Sequence, residues 1–205
     1  MKNFFRKVAY GIGPNEDIPS DPLNWALNQV DEIPDFSWKG KIYSEKELRK
    51  HYRDWVYGDR KVLRKKYKDN KTLYKTHKDI LRHKTGQKFW ESLEISIRHN
   101  EGINSNHPVL AKLWMFWGNF FAISEKDFLA NYSTGAYQRE IIRPNLNQSF
   151  EKMVYDVTTS WAMIHHLDNS ESAGPKSVTA GEEWRRRKKE PATINEDVLG
   201  EFFCN

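Results

Sequence analysis

Residues 107–121 read HPVLAKLWMFWGNFF, a run dominated by aliphatic and aromatic side chains. His107 and Pro108 fit the start of a helix, because proline is favoured at the first helical position. At helical spacing the large apolar side chains cover most of the helix surface: Val109, Leu110, Leu113, Trp114, Phe116, Trp117, Phe120 and Phe121. A helix that is apolar nearly all round is typically buried. The segment therefore predicts a buried aromatic central helix.

Helical patterns continue on both sides of this segment. Residues 44–99 place apolar side chains three and four apart, which is typical of amphipathic helices. Ser44 and Glu47 have the spacing of a capping box, and Asp21 before Pro22 has that of an N-cap. Three breaks are expected in the long segment, at Gly58, Asp69-Asn70 and Gly86, and a turn at Gly102. Further helical stretches are predicted at 134–143, 147–157 and 160–166, with a second capping box at 124–127.

Strand-like alternation is almost absent, so the predicted fold class is mainly α. We expect one irregular multi-helix domain with a long basic helical segment and the aromatic central helix, and the domain looks incomplete. The expected divisions are an N-terminal arm with a short helix, a basic helical segment, an aromatic helical core, a polar and basic loop, and the start of a truncated helix. They span 1–43, 44–100, 101–169, 170–192 and 193–205.

The composition excludes several classes of protein. Mean hydropathy is low at −0.83, yet 14% of the residues are aromatic, which is too many for a disordered chain. No window is long and apolar enough to span a membrane, and no signal peptide follows the basic start. The chain as written is therefore expected to be cytoplasmic, or exported if its true N-terminus is missing. The single cysteine, Cys204, excludes an intrachain disulfide and a cysteine-cluster metal site.

The net charge of +5 hides an uneven distribution. Residues 39–88 hold 18 Lys and Arg against 6 Asp and Glu, and the remainder is net acidic. Such a block indicates an internal electrostatic pairing, a solvated helix face or an anionic partner. Aromatic residues interleave with the cations, so a nucleic acid or an anionic membrane surface is conceivable. Because no nucleic-acid module is recognisable, we expect nucleic acid to be the less favoured partner.

Four motifs occur in the chain in the same order as in a known protein family. They are the Trp/Asn/Phe helix at 113–121, Tyr-Gln-Arg-Glu-Ile-Ile-Arg-Pro at 137–144, Leu-Asp-Asn-Ser-Glu-Ser-Ala-Gly-Pro at 167–175, and Ile-Asn-Glu-Asp-Val-Leu-Gly-Glu at 194–201. The chain resembles the bacterial domain of unknown function 1800 family over this region. The resemblance implies a helical fold and an exported ancestor, and it implies no established reaction.

Members of that family usually run to about twice this length, so the chain is similar to the N-terminal half only. The resemblance therefore implies an uncharacterised, truncated protein without independent activity, whose partner would be the missing C-terminal half or a second chain supplying it. Several polar family positions also differ: Phe120, Asn145 and Gly200 stand where histidine or arginine is usual. These departures weaken a catalytic interpretation.

Two oxygen-rich motifs raise the alternative of a divalent-metal-dependent, hydrolase-like enzyme whose site needs the missing half. Carboxylate and amide oxygens suit Ca²⁺ or Mg²⁺, and the candidate ligands are Asp168, Asn169, Asn195, Glu196 and Glu201. The structural alternative is an Asx turn at Asp168-Asn169 and a helix cap at Asn195. No nucleophile elbow, P-loop, dinucleotide fingerprint or zinc-protease motif is present.

Arg139 and Arg143 are a candidate anion-binding pair. Four residues apart on a helix, they share a face and could hold one carboxylate or phosphate. The alternative is a buried structural pairing with Asp156 or Asp168. Three functions thus remain open: an uncharacterised family member, a metal-dependent enzyme, and a binding module that uses the basic helices on anionic surfaces or nucleic acid.

Overall fold

The computed structural model of the protein describes residues 2–12, 17–124, 129–167 and 169. These residues form ten α-helices and no strand, which confirms the mainly α fold class. In chain order they are α1 Lys2–Val8, α2 Pro22–Asp31, α3 Glu45–Arg53, α4 Arg60–Lys66, α5 Lys71–Lys84, α6 Gln87–Asn104, α7 Pro108–Phe120, α8 Ala130–Tyr137, α9 Phe150–Thr158 and α10 Trp161–His166. Two π-helical turns, Asp54–Asp59 and Gln138–Ile142, and a 3-10 turn, Arg143–Asn145, complete the set.

Local side-chain chemistry fixes the starts of the helices as the sequence predicts. Asp21 accepts a hydrogen bond from the Asn24 amide at 3.0 Å and caps α2. Ser44 and Glu47 make the reciprocal hydrogen bonds of a capping box at the start of α3. Each of these contacts satisfies an amide that the helix itself leaves without a partner. The predicted capping box at 124–127 lies outside the described residues except for Ser124, and the cap at Asn195, the loop at 170–192 and the helix at 193–205 lie wholly outside them.

The predicted break at Gly58 is wrong. Helix α3 passes through the π-helical turn Asp54–Asp59 directly into α4, so Glu45 to Lys66 is one continuous helix. Trp55 lies in this turn with 1% of its surface exposed, and its burial stabilises the helix despite the glycine. The break at Gly86 is confirmed: a Cβ there would lie 2.8 Å from the Arg82 backbone, so only glycine fits.

Helix α6 continues past the predicted turn at Gly102. It ends at Asn104, and Gly102 lies within its last turn. An added Cβ at Gly102 would meet only the tip of Met115, at 3.9 Å, so this glycine does not force the backbone to turn. The break at Asn70 is confirmed, because the Asn70 side chain accepts from the Leu73 amide and caps α5.

Helix α8 lies at the centre of the packing. It contacts α3, α6 and α10, and its buried residues are Ala130, Tyr132, Ser133, Ala136 and Tyr137. On one side Tyr132 and Ala136 join a cluster with Leu48, Trp55 and Trp90. On the other side Tyr137 joins the larger cluster formed by α7, α9 and α10. Helix α8 thereby links the basic segment to the aromatic core.

Helix α7 is buried along one side rather than all round. Trp114 is 3% exposed and lies at the centre of the larger cluster. Phe116 and Phe120, however, are 57% and 62% exposed, and Phe150 of α9 beside them is also exposed. Helices α2 and α6 and the π-helical turn at 138–142 all contact α7, but the described residues leave Phe116 and Phe120 uncovered. The aromatic run is therefore less enclosed than its composition predicts.

Candidate functional site

The π-helical turn after α8 carries Arg139, and Arg143 follows in the 3-10 turn. The wider π turn presents Gln138, Arg139, Ile142 and Arg143 to the interior, and all four are buried. Both arginines face α6. They thus lie on one side of their segment, as their spacing predicts.

Arg139 is held by Glu94 of α6. Its Nε and Nη2 atoms donate to the two carboxylate oxygens of Glu94 at 2.8 Å each, and Nη2 also donates to the Tyr43 carbonyl at 2.7 Å. Arg139 is 5% exposed and Glu94 is 8% exposed. This two-pronged geometry is the strongest that a guanidinium makes with a carboxylate.

Arg143 lies against a second glutamate of α6. Its Nη2 atom is 3.9 Å from Oε2 of Glu101, and its guanidinium lies 4.1 Å from the centre of the Phe36 ring. The other oxygen of Glu101 accepts from the Ser37 hydroxyl at 2.6 Å. Burial lowers the pKa of Arg143, and the nearby charge of Glu101 opposes that effect. The contacts fasten the loop before α3 to the core.

The two arginines therefore meet separate glutamates rather than one shared anion. Glu94 and Glu101 are seven residues apart, which is two turns of α6. Of the predicted structural partners, Asp156 instead accepts from Asn145 at 2.9 Å and from Lys152 at 2.6 Å, and Asp168 is outside the described residues. The sequence analysis did not identify Glu94 and Glu101 as the partners of the two arginines. Both lie on the apolar face of α6 with Trp90 and Ile97, and a carboxylate on such a face indicates a buried ion pair.

Gly135 allows α8 to approach this ion pair. A Cβ atom at Gly135 would overlap Cγ, Cδ and Oε2 of Glu94. Gly135 does not have a positive φ, which among the described glycines is found at Gly11 alone. Close packing against Glu94, and not backbone conformation, therefore requires glycine at position 135.

A cavity of about 100 Å³ opens beside the pair, between α6, α7 and α8. The residues that line it are Glu91, Glu94, Ile95, Arg98, Trp114, Asn131, Thr134, Gly135, Gln138 and Arg139. The indole Nε1 of Trp114 donates to the Gln138 carbonyl at 2.8 Å and fixes that wall. The cavity thus adjoins one member of the predicted anion-binding pair.

The predicted metal ligands Asp168, Asn195, Glu196 and Glu201 lie outside the described residues, and Asn169 is described without a contact. Within the described ranges no group of three or more His, Cys, Asp or Glu side chains could hold a metal ion. His165 lies edge-on to Trp161, while Nδ1 of His166 accepts from the Ser124 amide at 3.3 Å. The two adjacent histidines thus make different contacts.

The divalent-cation site remains a prediction with a direct test. If Ca²⁺ or Mg²⁺ binds at Asp168, adding the ion to EDTA-treated protein will raise the melting temperature, since a ligand stabilises the state that it binds. Circular dichroism measures the shift, and Asp168→Ala should abolish it. A melting temperature that no divalent ion changes would contradict the site.

The second charged feature of the surface is the basic hairpin, which we define as residues 60–84, comprising α4, the turn at 67–70 and α5. It holds 11 Lys and Arg and 2 Asp. Helix α5 has no buried residue, and α4 buries only Leu63. Leu73, Ile80 and Val62 are exposed among the cations. No helix in the described part of the chain is long and apolar enough to cross a bilayer.

Comparison with known proteins identifies the family. The family described as Protein of unknown function (DUF1800) matches residues 13–197, which is most of the 205-residue chain. Neither the curated proteins nor the solved structures contain a similar protein at a significant level. The match includes the helical core, the Arg139 and Arg143 segment and the basic hairpin. The chain belongs to the DUF1800 family.

Proposed function

We propose that the chain binds anionic lipid surfaces through the basic hairpin. The observation that carries this proposal is that α5, a helix of 14 residues, buries none of them and exposes both cations and aliphatic side chains. A basic helix with exposed apolar residues is suited to the interface of an anionic bilayer. The proposal is a binding role and includes no catalytic step.

Charge supplies the long-range part of the attraction. Most of the hairpin cations are exposed, and Arg82 with Asp79, at 3.3 Å, is an exposed ion pair within it. Each Lys or Arg near an anionic bilayer contributes about 1 kcal/mol of binding. The excess of cations is therefore large enough to hold the protein on a membrane at moderate salt.

Apolar side chains supply the short-range part and favour lipid over nucleic acid. Leu73 and Ile80 are seven residues apart, so they lie on the same side of α5, and they are 44% and 47% exposed. Aliphatic side chains can insert into the headgroup region of a bilayer. Single-stranded nucleic acids instead need exposed aromatic rings on which their bases can stack. The ring of Tyr67 already stacks on His77, with centroids 4.6 Å apart and planes at 5°.

Vesicle sedimentation tests the proposal. We expect the chain to sediment with phosphatidylglycerol vesicles and not with phosphatidylcholine vesicles. The triple variant Lys65→Glu, Lys71→Glu, Lys75→Glu should bind at least about a hundredfold more weakly, because three contributions of ~1 kcal/mol are lost. All three lysines are exposed, so the fold should be unaffected.

A charge-matched control separates the hairpin from net charge. Lys2→Glu, Lys7→Glu, Lys39→Glu changes the same number of exposed lysines elsewhere and should leave vesicle binding within a few-fold of wild type. Equal losses in the two triple variants would refute a specific surface. Tight binding to a single-stranded oligonucleotide with no binding to vesicles would assign the hairpin to nucleic acid instead.

The apolar contribution has its own test. Leu73→Ser with Ile80→Ser keeps every charge, and we expect it to remove the vesicle binding that persists at high salt, since salt screens charges and leaves apolar insertion intact. If salt alone abolishes wild-type binding, the aliphatic side chains do not insert.

A further inference from the structure

We infer that the cavity between α6, α7 and α8 is a binding site for a small carboxylate, held by Arg98 and Gln138. The site lies in the helical core and is independent of the basic hairpin. Its partners come from three helices, so its geometry depends on the fold rather than on one segment of chain.

Among the charged side chains that line the cavity, Arg98 lacks a carboxylate partner. Glu94 is neutralised by the two hydrogen bonds from Arg139, and Glu91 by Lys88, whose Nζ lies 2.5 Å from Oε2. Arg98 has no carboxylate within ion-pair distance among the residues that the structure describes. Arg139 also lies near Glu140, whose Oε1 is 3.6 Å from Nη1, so acidic and basic groups around the cavity are equal in number. Arg98 is nevertheless the lining cation without an acidic partner, which favours an anionic ligand beside it.

Arg98 is half-buried and only partly satisfied. Its Nε contacts Sδ of Met115, and Nη2 donates to Oδ1 of Asn119 at 3.0 Å. Burial lowers the pKa of Arg98, and interaction with Tyr10 opposes this effect. A guanidinium has five N–H groups, so donors remain for a carboxylate. These neutral partners hold the side chain without cancelling its charge.

Gln138 provides the second polar group. The residue is 7% exposed and its side chain lines the cavity. Its amide lies against Gly118, where a Cβ would come within 3.2 Å of Oε1. An amide side chain carries two N–H donors, so Gln138 can donate to a ligand oxygen in the cavity.

Size and wall chemistry define the ligand class. The cavity of about 100 Å³ is smaller than the ~150 Å³ cavities that hold benzene, so it suits a ligand of only a few heavy atoms. Trp114 and Ile95 give the cavity an apolar side. A carboxylate with a short alkyl group, such as acetate or propionate, matches both walls better than phosphate, whose oxygens all require polar partners.

Calorimetric titration and thermal melts at constant ionic strength test the inference. Acetate and propionate should bind with millimolar affinity and raise the melting temperature. Phosphate and sulfate should bind at least about tenfold more weakly, because the apolar wall leaves part of each oxyanion without hydrogen bonds. No binding of acetate or propionate, or equal binding of all four anions, would overturn the inference.

Variants locate the binding. Arg98→Met and Gln138→Leu should each weaken propionate binding at least about tenfold, since each removes a hydrogen-bonded partner of the carboxylate. Arg98→Lys keeps the charge but replaces the planar guanidinium by a single ammonium group with fewer N–H donors, so it should bind with intermediate affinity. Arg53→Lys changes an exposed arginine outside the cavity and should bind as wild type.

Circular dichroism melts without ligand show which variants fold. If Arg98→Met does not fold, Arg98→Lys and Gln138→Leu decide the result. A folded variant at either position that binds propionate as tightly as wild type would overturn the assignment of that residue.

Discussion

Glu94→Ala is expected to destabilise the fold by about 3 kcal/mol, because it removes the two-pronged carboxylate partner of the buried Arg139 guanidinium. Arg139 is 5% exposed, so its charge is largely shielded from bulk water. The remaining partners are weaker: Nη2 donates to the Tyr43 carbonyl, and Oε1 of the more exposed Glu140 lies 3.6 Å from Nη1. Urea unfolding followed by circular dichroism measures the loss as a change in the free energy of unfolding.

Two controls make this result specific to a buried pair. The double variant Glu94→Leu, Arg139→Met removes both charges and should recover most of the loss, since an apolar pair of similar volume is often as stable as a buried ion pair. Asp79→Ala breaks the exposed pair with Arg82 and should cost no more than ~1 kcal/mol. A Glu94→Ala protein within ~1 kcal/mol of wild type would show that the pair is not needed for stability.

Gly135→Ala should be almost as damaging, although it adds one methyl group to a helix. The new Cβ would overlap Glu94, so α8 must move away from α6 or Glu94 must leave Arg139. Overpacking alone costs about 1–3 kcal/mol, and disruption of the ion pair adds to it. The free energy of unfolding in urea measures the combined effect.

Gly58→Ala is the matched substitution. It also lies within a continuous helix, but nothing is within 4 Å of its Cβ position. Alanine should therefore stabilise the protein by about 0.4–1 kcal/mol by restricting the unfolded chain. If the two alanine variants changed stability by the same amount, the close approach at Gly135 would not be the cause.

The helices and their starts could be predicted from the sequence because their causes are local. Asp21, Ser44 and Asn70 bind amides three residues ahead, so the signal and the contact lie within one turn. The helix break predicted at Gly58 does not occur, because the burial of Trp55 keeps the chain helical there. That burial depends on tertiary packing, which the local sequence does not show. The one-sided burial of α7 also depends on which helices pack against it, and composition alone does not specify that.

The pairing within the candidate site could not be predicted for a different reason. The spacing of Arg139 and Arg143 correctly placed both arginines on one side, but their partners are 45 and 42 positions earlier in the chain. Which carboxylates they meet depends on the register between α6 and the π-helical turn. The cavity likewise forms only where three helices meet, so no single sequence motif predicts it.

Helix α5, which buries no residue, has a consequence for exchange of backbone amide protons with solvent. Segments with few buried contacts open locally at a small free-energy cost, whereas core helices exchange only when the whole domain unfolds. We therefore expect deuterium to enter α5 much earlier than α6 or α8. This cationic helix would then be less protected than α6 and α8, able to adjust its shape to a partner while Glu94, Arg139 and the cavity stay in place.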